Sequence, residues 1–229
     1  MTPLDGLRAD TYCALPLSAA EVAIVDAAYA AWDSFFRGTG KYAIPGDLAG
    51  PSGYIPLCLP GGCEMKESFY LRPRMSPPPA TAAATADLMG LLTEAAASMT
   101  AALGALLGRP VAHRPRHGCL RVMRYPPLTG EPASRLMRAL ADRGNLRTVS
   151  HTDLNALTIL APASAPGLEI ATAGGWLPVD DTRRCLLVHT GQELEAATYG
   201  AFRATEHRVR NPLPDEADRP RLSCAYFVS

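Results

Sequence analysis

Apolar positions follow two different periods along this chain. Over residues 18–37, Val22, Val25, Ala28, Tyr29, Trp32 and Phe36 recur at helical spacing. Ser18 with Glu21 three residues on is a capping box, and Gly38 and Gly40 stop the run. A second helix is predicted over residues 80–107. Leu88, Leu92, Ala95, Met99, Leu103 and Leu106 share its face, the triple proline Pro77–Pro79 precedes it, and Gly108 and Pro110 end it. A Leu and Met stripe of this kind reads as core. Residues 42–79, rich in Gly and Pro, read as loops.

From Gly118 the period shortens. Apolar runs at residues 120–125, 157–161, 168–171, 176–179, 185–189, 207–210 and 223–228 alternate with turn residues and predict strands. Residues 168–179 read as a hairpin turning at Gly174-Gly175. A helix is expected at about residues 131–143. Short strands after two helices predict an α+β fold, mainly β: a sandwich or barrel with helices packed on one face. The 229 residues are expected to form a single domain. Its N-terminal part, residues 1–117, would be helices and loops; its core would span 118–229, with a helical insert at about 128–150.

Composition removes several classes. Lys and Arg together equal Asp and Glu at 22 each, which speaks against a general nucleic-acid or acidic-membrane binder. Residues 1–10 lack the basic start and apolar run of a secretory signal. The uncharged stretch 95–108 is too short to span a bilayer. Cys13, Cys58, Cys63, Cys119, Cys185 and Cys224 are scattered, and Cys58/Cys63 alone is a weak metal signal. Free thiols in a reducing cytoplasm are the expectation. Arg exceeds Lys, which reads as genomic base-composition bias.

The chemistry-bearing residues cluster late. His151-Thr152-Asp153 is followed by His207 and then by Arg221-Leu222-Ser223. Two imidazoles and one carboxylate suit a mononuclear non-haem Fe(II), leaving positions open for oxidant and cosubstrate. Residues two apart on a strand share a face. With His151 at a strand start, His151 and Asp153 would reach one ion, and Arg221 and Ser223 would grip one carboxylate. The remaining histidines fit less well. His113 and His117 lie in an Arg- and Pro-rich loop, and His189 reads as a core histidine with a hydrogen-bonded ring. A His-x-Asp pair alone occurs often by chance; the ordered set is far more specific.

Several segments resemble the isopenicillin N synthase-like branch of the Fe(II)- and 2-oxoglutarate-dependent dioxygenases. His151-Thr-Asp-Leu-Asn-Ala-Leu-Thr-Ile-Leu160 is similar to the family's His-Thr-Asp block, and Gly167-Leu-Glu-Ile with Gly175-Trp-Leu-Pro-Val179 to its hairpin. His189-Thr-Gly-Gln-Glu-Leu-Glu195 resembles its Asn-x-Gly-Asp-x-Leu-Glu block. Glu206-His-Arg-Val209 and the run Arg221–Val228 resemble its second-histidine and closing-strand motifs. Upstream, Arg124-Tyr-Pro-Pro127, Gly53-Tyr-Ile-Pro56 and Lys66-Glu-Ser-Phe69 also match, in the family's order.

The resemblance implies a double-stranded β-helix (jelly roll) with N-terminal and backing helices. It implies that His151, Asp153 and His207 bind iron, that Arg221 and Ser223 hold the distal carboxylate of 2-oxoglutarate, and that Tyr125 adds a hydrogen bond. Dioxygen would be the oxidant. Against the family pattern, Met123 replaces an asparagine common in plant members, and strand alternation turns Arg121, Met123 and Tyr125 to one side. The usual N-terminal strand is expected to be largely missing. The long connection 128–150, with Arg135, Arg138 and Arg143, is expected to be a lid or an oligomer contact.

Arg121, Arg124 and Arg147 near the expected mouth suggest a small, carboxylate-bearing substrate. Asn155, Tyr54, Glu67 and Phe227 join them by family position. A free amino acid or derivative in bacterial natural-product biosynthesis would fit, through hydroxylation, desaturation or ring closure. A 2-oxoglutarate-independent oxidase of the isopenicillin N synthase type and a non-catalytic jelly-roll binding protein are the alternatives. A monomer or homodimer is expected.

Overall fold

The computed structural model describes residues 2–47, 52–59, 62–63, 65–111, 119–179 and 184–229. His113 and His117 lie outside the described residues. A short helix α1 (Pro3–Ala9) leads into β1 (Tyr12–Pro16) and the long helix α2 (Ala19–Arg37). Strands β2 (Gly53–Ile55), β3 (Cys58–Leu59), β4 (Gly62–Cys63) and β5 (Glu67–Leu71) precede α3 (Ala82–Leu107). The second half holds β6 (Cys119–Tyr125), α4 (Ser134–Asp142), β7 (Thr148–His151), β8 (Leu157–Ala161), β9 (Leu168–Thr172) and β10 (Gly175–Pro178). It closes with β11 (Cys185–Thr190), α5 (Gln192–Ala197), β12 (His207–Val209) and β13 (Arg221–Val228).

Two antiparallel sheets make the jelly roll. The larger has seven strands in the order β1-β11-β8-β13-β6-β5-β2, and the smaller has four, β10-β9-β12-β7. Helices α2 and α3 cover the larger sheet. Strand alternation sorts its residues between two environments. Leu222, Cys224, Tyr226 and Val228 of β13, Leu120 and Val122 of β6, Leu157 and Ile159 of β8, and Leu186 and Val188 of β11 pack into the helix-side core. The intervening residues of the same strands face the cavity between the sheets, where Met123, Tyr125, Val209 and Ala225 form a smaller apolar cluster.

The helices form for the reasons read in the sequence. The Ser18 side chain accepts from the Glu21 backbone while the Glu21 carboxylate accepts from the Ser18 backbone. Trp32 is fully buried and its indole N–H donates to Thr85 Oγ1 at 3.0 Å, tying α2 to α3. Gly108, at φ 62°, supplies the left-handed cap of α3. By length and composition this helix could cross a bilayer. Its Leu88, Leu92, Ala96, Met99 and Leu103 stripe is buried in the helix-side core instead.

Several elements differ from the sequence-based expectation. Strand β1 exists and pairs with β11 along its full length, so the N-terminal strand expected to be missing is present. Its five residues carry too little alternation to announce themselves. The stretch read as loops contains β2 and β5, which extend the large sheet past β6. Both are short and buried on both faces, so they show no period of two. The hairpin of β9 and β10 pairs Gly175 with Thr172, so its turn falls at Ala173-Gly174, one residue early.

Candidate metal centre and active site

His151 and His207 are brought together by one cross-strand pair. In the smaller sheet β12 runs antiparallel to β7, with His207 directly opposite His151. Opposed residues on neighbouring strands have adjacent side chains, and the two ring centroids lie 4.4 Å apart. His151 ends β7, where a strand start was expected, and Asp153 sits in the turn that follows. His151 and Asp153 therefore do not share the face of one strand. The turn delivers the carboxylate instead.

That turn is held from outside. The backbone N–H groups of Gly191, Gln192 and Glu193, where β11 passes into α5, donate to the carbonyls of Ala156 (3.0 Å), Asp153 (2.9 Å) and Leu154 (3.1 Å). The first N–H groups of a helix lack intrahelical partners, so they are available for this. Gln192 Nε2 adds a bond to Thr152 Oγ1 at 2.7 Å.

The three donors lie within 4.8 Å of one another. Each imidazole turns the correct nitrogen inward. His151 Nδ1 contacts Val149 O at 2.9 Å, and His207 Nδ1 contacts Thr205 O at 3.0 Å. A ring that donates from Nδ1 to a carbonyl presents an unprotonated Nε2. Burial pushes the His207 pKa down, which keeps that nitrogen's lone pair available near neutral pH. Burial also opposes ionisation of Asp153. The imidazoles of His189 and His207 and the Thr158 hydroxyl outweigh it and hold the carboxyl below its usual range. Two imidazoles and one carboxylate, with no thiol among them, fit Fe(II).

A cavity between the two sheets opens beside these donors. Arg221, Ser223, Ala225 and Phe227 of β13 and Arg121, Met123 and Tyr125 of β6 line it, on alternate positions of each strand. Arg221 stands opposite Tyr125 in the register and Ser223 opposite Met123. The guanidinium lies 5.2 Å from the Tyr125 ring centroid. Burial opposes ionisation of the Tyr125 phenol, yet Lys66, Arg221 and a 3.1 Å bond to Thr148 Oγ1 bring its pKa below the usual value.

Four substrate candidates do not reach this cavity. Arg124 points to the helix side of β6, as parity with Leu120 and Val122 requires. There its guanidinium binds Asp33 at 2.7 Å and Glu131 at 2.6 Å. Glu67 pairs with Lys41 and accepts from Tyr54 OH, both at 2.7 Å, in the same buried cluster. Asn155 is buried and donates to Thr158 Oγ1 at 3.1 Å, so it holds the neighbour that holds Asp153. Of the proposed set, Arg121 and Phe227 remain on the cavity wall. Arg147 lines an outer groove with Lys66, Arg121 and His151. Burial and the nearby Arg221 push its pKa down to about 10.

Sequence reading passed over Lys66, Thr158 and the cavity-facing orientation of His189. Strand parity would have found the last two. Thr158 alternates with Leu157 and Ile159, and His189 with Val188, and these three apolar residues belong to the core. As expected, the His189 ring is hydrogen-bonded, with Nδ1 3.5 Å from Thr190 O, while its buried Nε2 has no hydrogen-bond partner among the described residues.

Comparison with known proteins agrees with this geometry. Residues 116–229 match the family model of the 2OG-Fe(II) oxygenase superfamily. Mugineic-acid 3-dioxygenase of Hordeum vulgare is 40% identical over 78 residues, which is 34% of this chain and 22% of that protein. The aligned segment thus spans about a fifth of that relative's length. In three dimensions a Shewanella oneidensis protein, described as a putative oxygenase, superposes with TM-score 0.80 at 23% identity, covering 99% of this chain and 84% of the other. A full-length Neurospora crassa protein, crystallised with alpha-KG and 5-formyluracil, gives 0.76 at 19% identity, covering 99% and 76%. These likenesses show the double-stranded β-helix fold. The chain belongs to the 2OG-Fe(II) oxygenase superfamily.

Proposed function

We propose that this chain is an Fe(II)- and 2-oxoglutarate-dependent oxygenase that oxidises an unactivated C–H bond of a small polar metabolite. The observation that carries the reading is the convergence of His151, Asp153 and His207 beside Arg221, Ser223 and Tyr125 on one cavity. His151 Nε2, His207 Nε2 and one Asp153 oxygen would hold the iron. When bound, iron and 2-oxoglutarate supply the oxidant by coupling decarboxylation of the keto acid to reduction of dioxygen. Arg221 and Ser223 would bind the distal carboxylate of the keto acid through charge-assisted hydrogen bonds, and Tyr125 OH would add another. Met123, Leu160, Val209 and Phe227 form an apolar wall that excludes bulk water from the reacting groups.

Substrate class follows from the same wall. Lys66 and Arg121 line the cavity and, with His151, the outer groove, which supports a carboxylate-bearing substrate. The relative named for mugineic acid points the same way. The reading extends to a free amino acid or derivative in bacterial natural-product biosynthesis, converted by hydroxylation, desaturation or ring closure. A cytoplasmic setting is supported by the free thiols of Cys13, Cys119, Cys185 and Cys224. Residues 145–149 wall the groove beside His151, which supports a lid role for the connection 128–150.

The test is a screen of free amino acids and related metabolites with Fe(II), 2-oxoglutarate and air, reading succinate and substrate mass together. Stoichiometric succinate is expected with the true substrate. Substrate oxidation without succinate would indicate the oxidase alternative. Absence of a weak visible charge-transfer band on anaerobic addition of Fe(II) and 2-oxoglutarate would sink the reading.

A further inference from the structure

We propose that His189 is a positioning residue for the metal site: its Nε2–H holds the outer oxygen of Asp153, so that the carboxylate offers the ion its other oxygen. This rests on the reading of His151, Asp153 and His207 as metal ligands.

The two oxygens of Asp153 face different neighbours. Oδ1 lies 3.7 Å from His151 Nε2, on the side of the other donors. Oδ2 accepts from the Thr158 hydroxyl and lies 3.6 Å from His189 Nε2. Asn155 Nδ2 in turn donates to Thr158 Oγ1 at 3.1 Å. One oxygen is thus turned to the donor cluster, and the other is turned into a polar pocket of Thr158 and His189.

The backbone fixes His189 there. It lies opposite Thr158 in the β11–β8 register, and Leu186 and Val188 commit the alternate face of β11 to the core. The ring is 1% exposed and sits 4.7 Å from the His207 ring. Nδ1 reaches the Thr190 carbonyl only at 3.5 Å, the outer limit of a hydrogen bond. Nε2 is buried without a partner among the described residues and faces the Asp153 carboxylate, an acceptor that holds charge. The ring proton is therefore assigned to Nε2. Closing 3.6 Å to a normal hydrogen bond needs a shift of well under about 1 Å. Outer partners that orient a ligating carboxylate typically govern metal affinity by about ten- to hundredfold.

Anaerobic titration with Co(II), followed by its d–d absorption, tests this. The wild-type protein is compared with His189→Phe, which keeps the ring and removes the donor, and with His189→Gln, which keeps a donor. His189→Phe is expected to weaken Co(II) binding by about ten- to hundredfold with unchanged band positions, and His189→Gln to restore most of the affinity. Equal affinity in wild type and His189→Phe overturns the proposal. So does a band shift showing loss of a nitrogen ligand, since His189 would then bind the ion itself. Failure of the wild type to bind Co(II) would instead sink the metal-site reading. Should His189→Phe not fold, nitrogen-15 resonances of the zinc-loaded wild type decide the matter. A protonated His189 Nε2 supports the proposal, and an unprotonated or metal-bound one overturns it.

Discussion

Single residues here take their roles from which side of a strand they occupy. Arg121 and Arg124 are three positions apart on β6, yet one lines the cavity and the other is locked between Asp33 and Glu131. Arg221, three positions before Cys224 on β13, is likewise assigned to the cavity by parity. Two predictions belong at this scale. Asp153→Ala removes the only carboxylate of the donor set and should lower turnover and Fe(II) affinity by more than about a hundredfold. Wild-type rates in that variant would refute the ligand assignment. Arg221→Ala should raise the 2-oxoglutarate concentration needed for half-maximal rate far more than it raises the substrate requirement. Loss of a buried charge-assisted partner costs about 2–5 kcal/mol, a factor of at least ~30. Equal increases in both requirements would show that Arg221 does not face the keto acid.

At the scale of elements, the site depends on a turn whose position was not legible in the sequence. The long helices announced themselves through caps and a clear apolar stripe, and the strands of the second half through short apolar runs. His151, Asp153, His207, Arg221 and Ser223 could be named because their order along the chain is specific. Their three-dimensional reason could not. Asp153 reaches its neighbours through a turn pinned by the start of α5, far along the chain, a contact that no local period encodes. Arg124, Glu67 and Tyr54 were misassigned for a related reason: their positions match the family, but their strands turn them toward the helices. Gly191 gives a test. It is where the end of β11 passes under the Asp153 turn, and a Cβ there would collide with the Asn155 carbonyl oxygen and come within 3.0 Å of Asp153 O. Both obstacles are backbone, so neither can swing aside. Gly191→Ala should therefore displace the turn and weaken metal binding by about tenfold or more, although the residue is not one of the metal donors. Unchanged Co(II) affinity in a folded Gly191→Ala protein would show that the turn is positioned by something else.

Across the whole molecule, the three candidate metal donors lie where the two sheets meet. His151 and His207 belong to the smaller sheet, and Asp153 lies on the connection from β7 to β8, which enters the larger one. An ion held by all three would join the sheets at this end of the cavity. The helix-side core needs no ion, because α2 and α3 seal it with apolar side chains. The metal-free protein is therefore expected to be folded but less stable than the loaded one. Binding to the native state alone stabilises by RT ln(1 + [L]/Kd), about 2.7 kcal/mol at a hundredfold excess over Kd. In a chain of this size each kcal/mol moves the melting temperature by about 2–4 °C. Co(II) at that excess should raise Tm by roughly 5–11 °C, and a chelator should reverse it. The same addition to Asp153→Ala should give less than about half that rise, because the tie between the sheets is lost along with the carboxylate. Differential scanning calorimetry of the two proteins with and without Co(II) makes the comparison. An equal rise in both would place the stabilising ion on some other acidic group, and the sheets would have to be held together by packing alone.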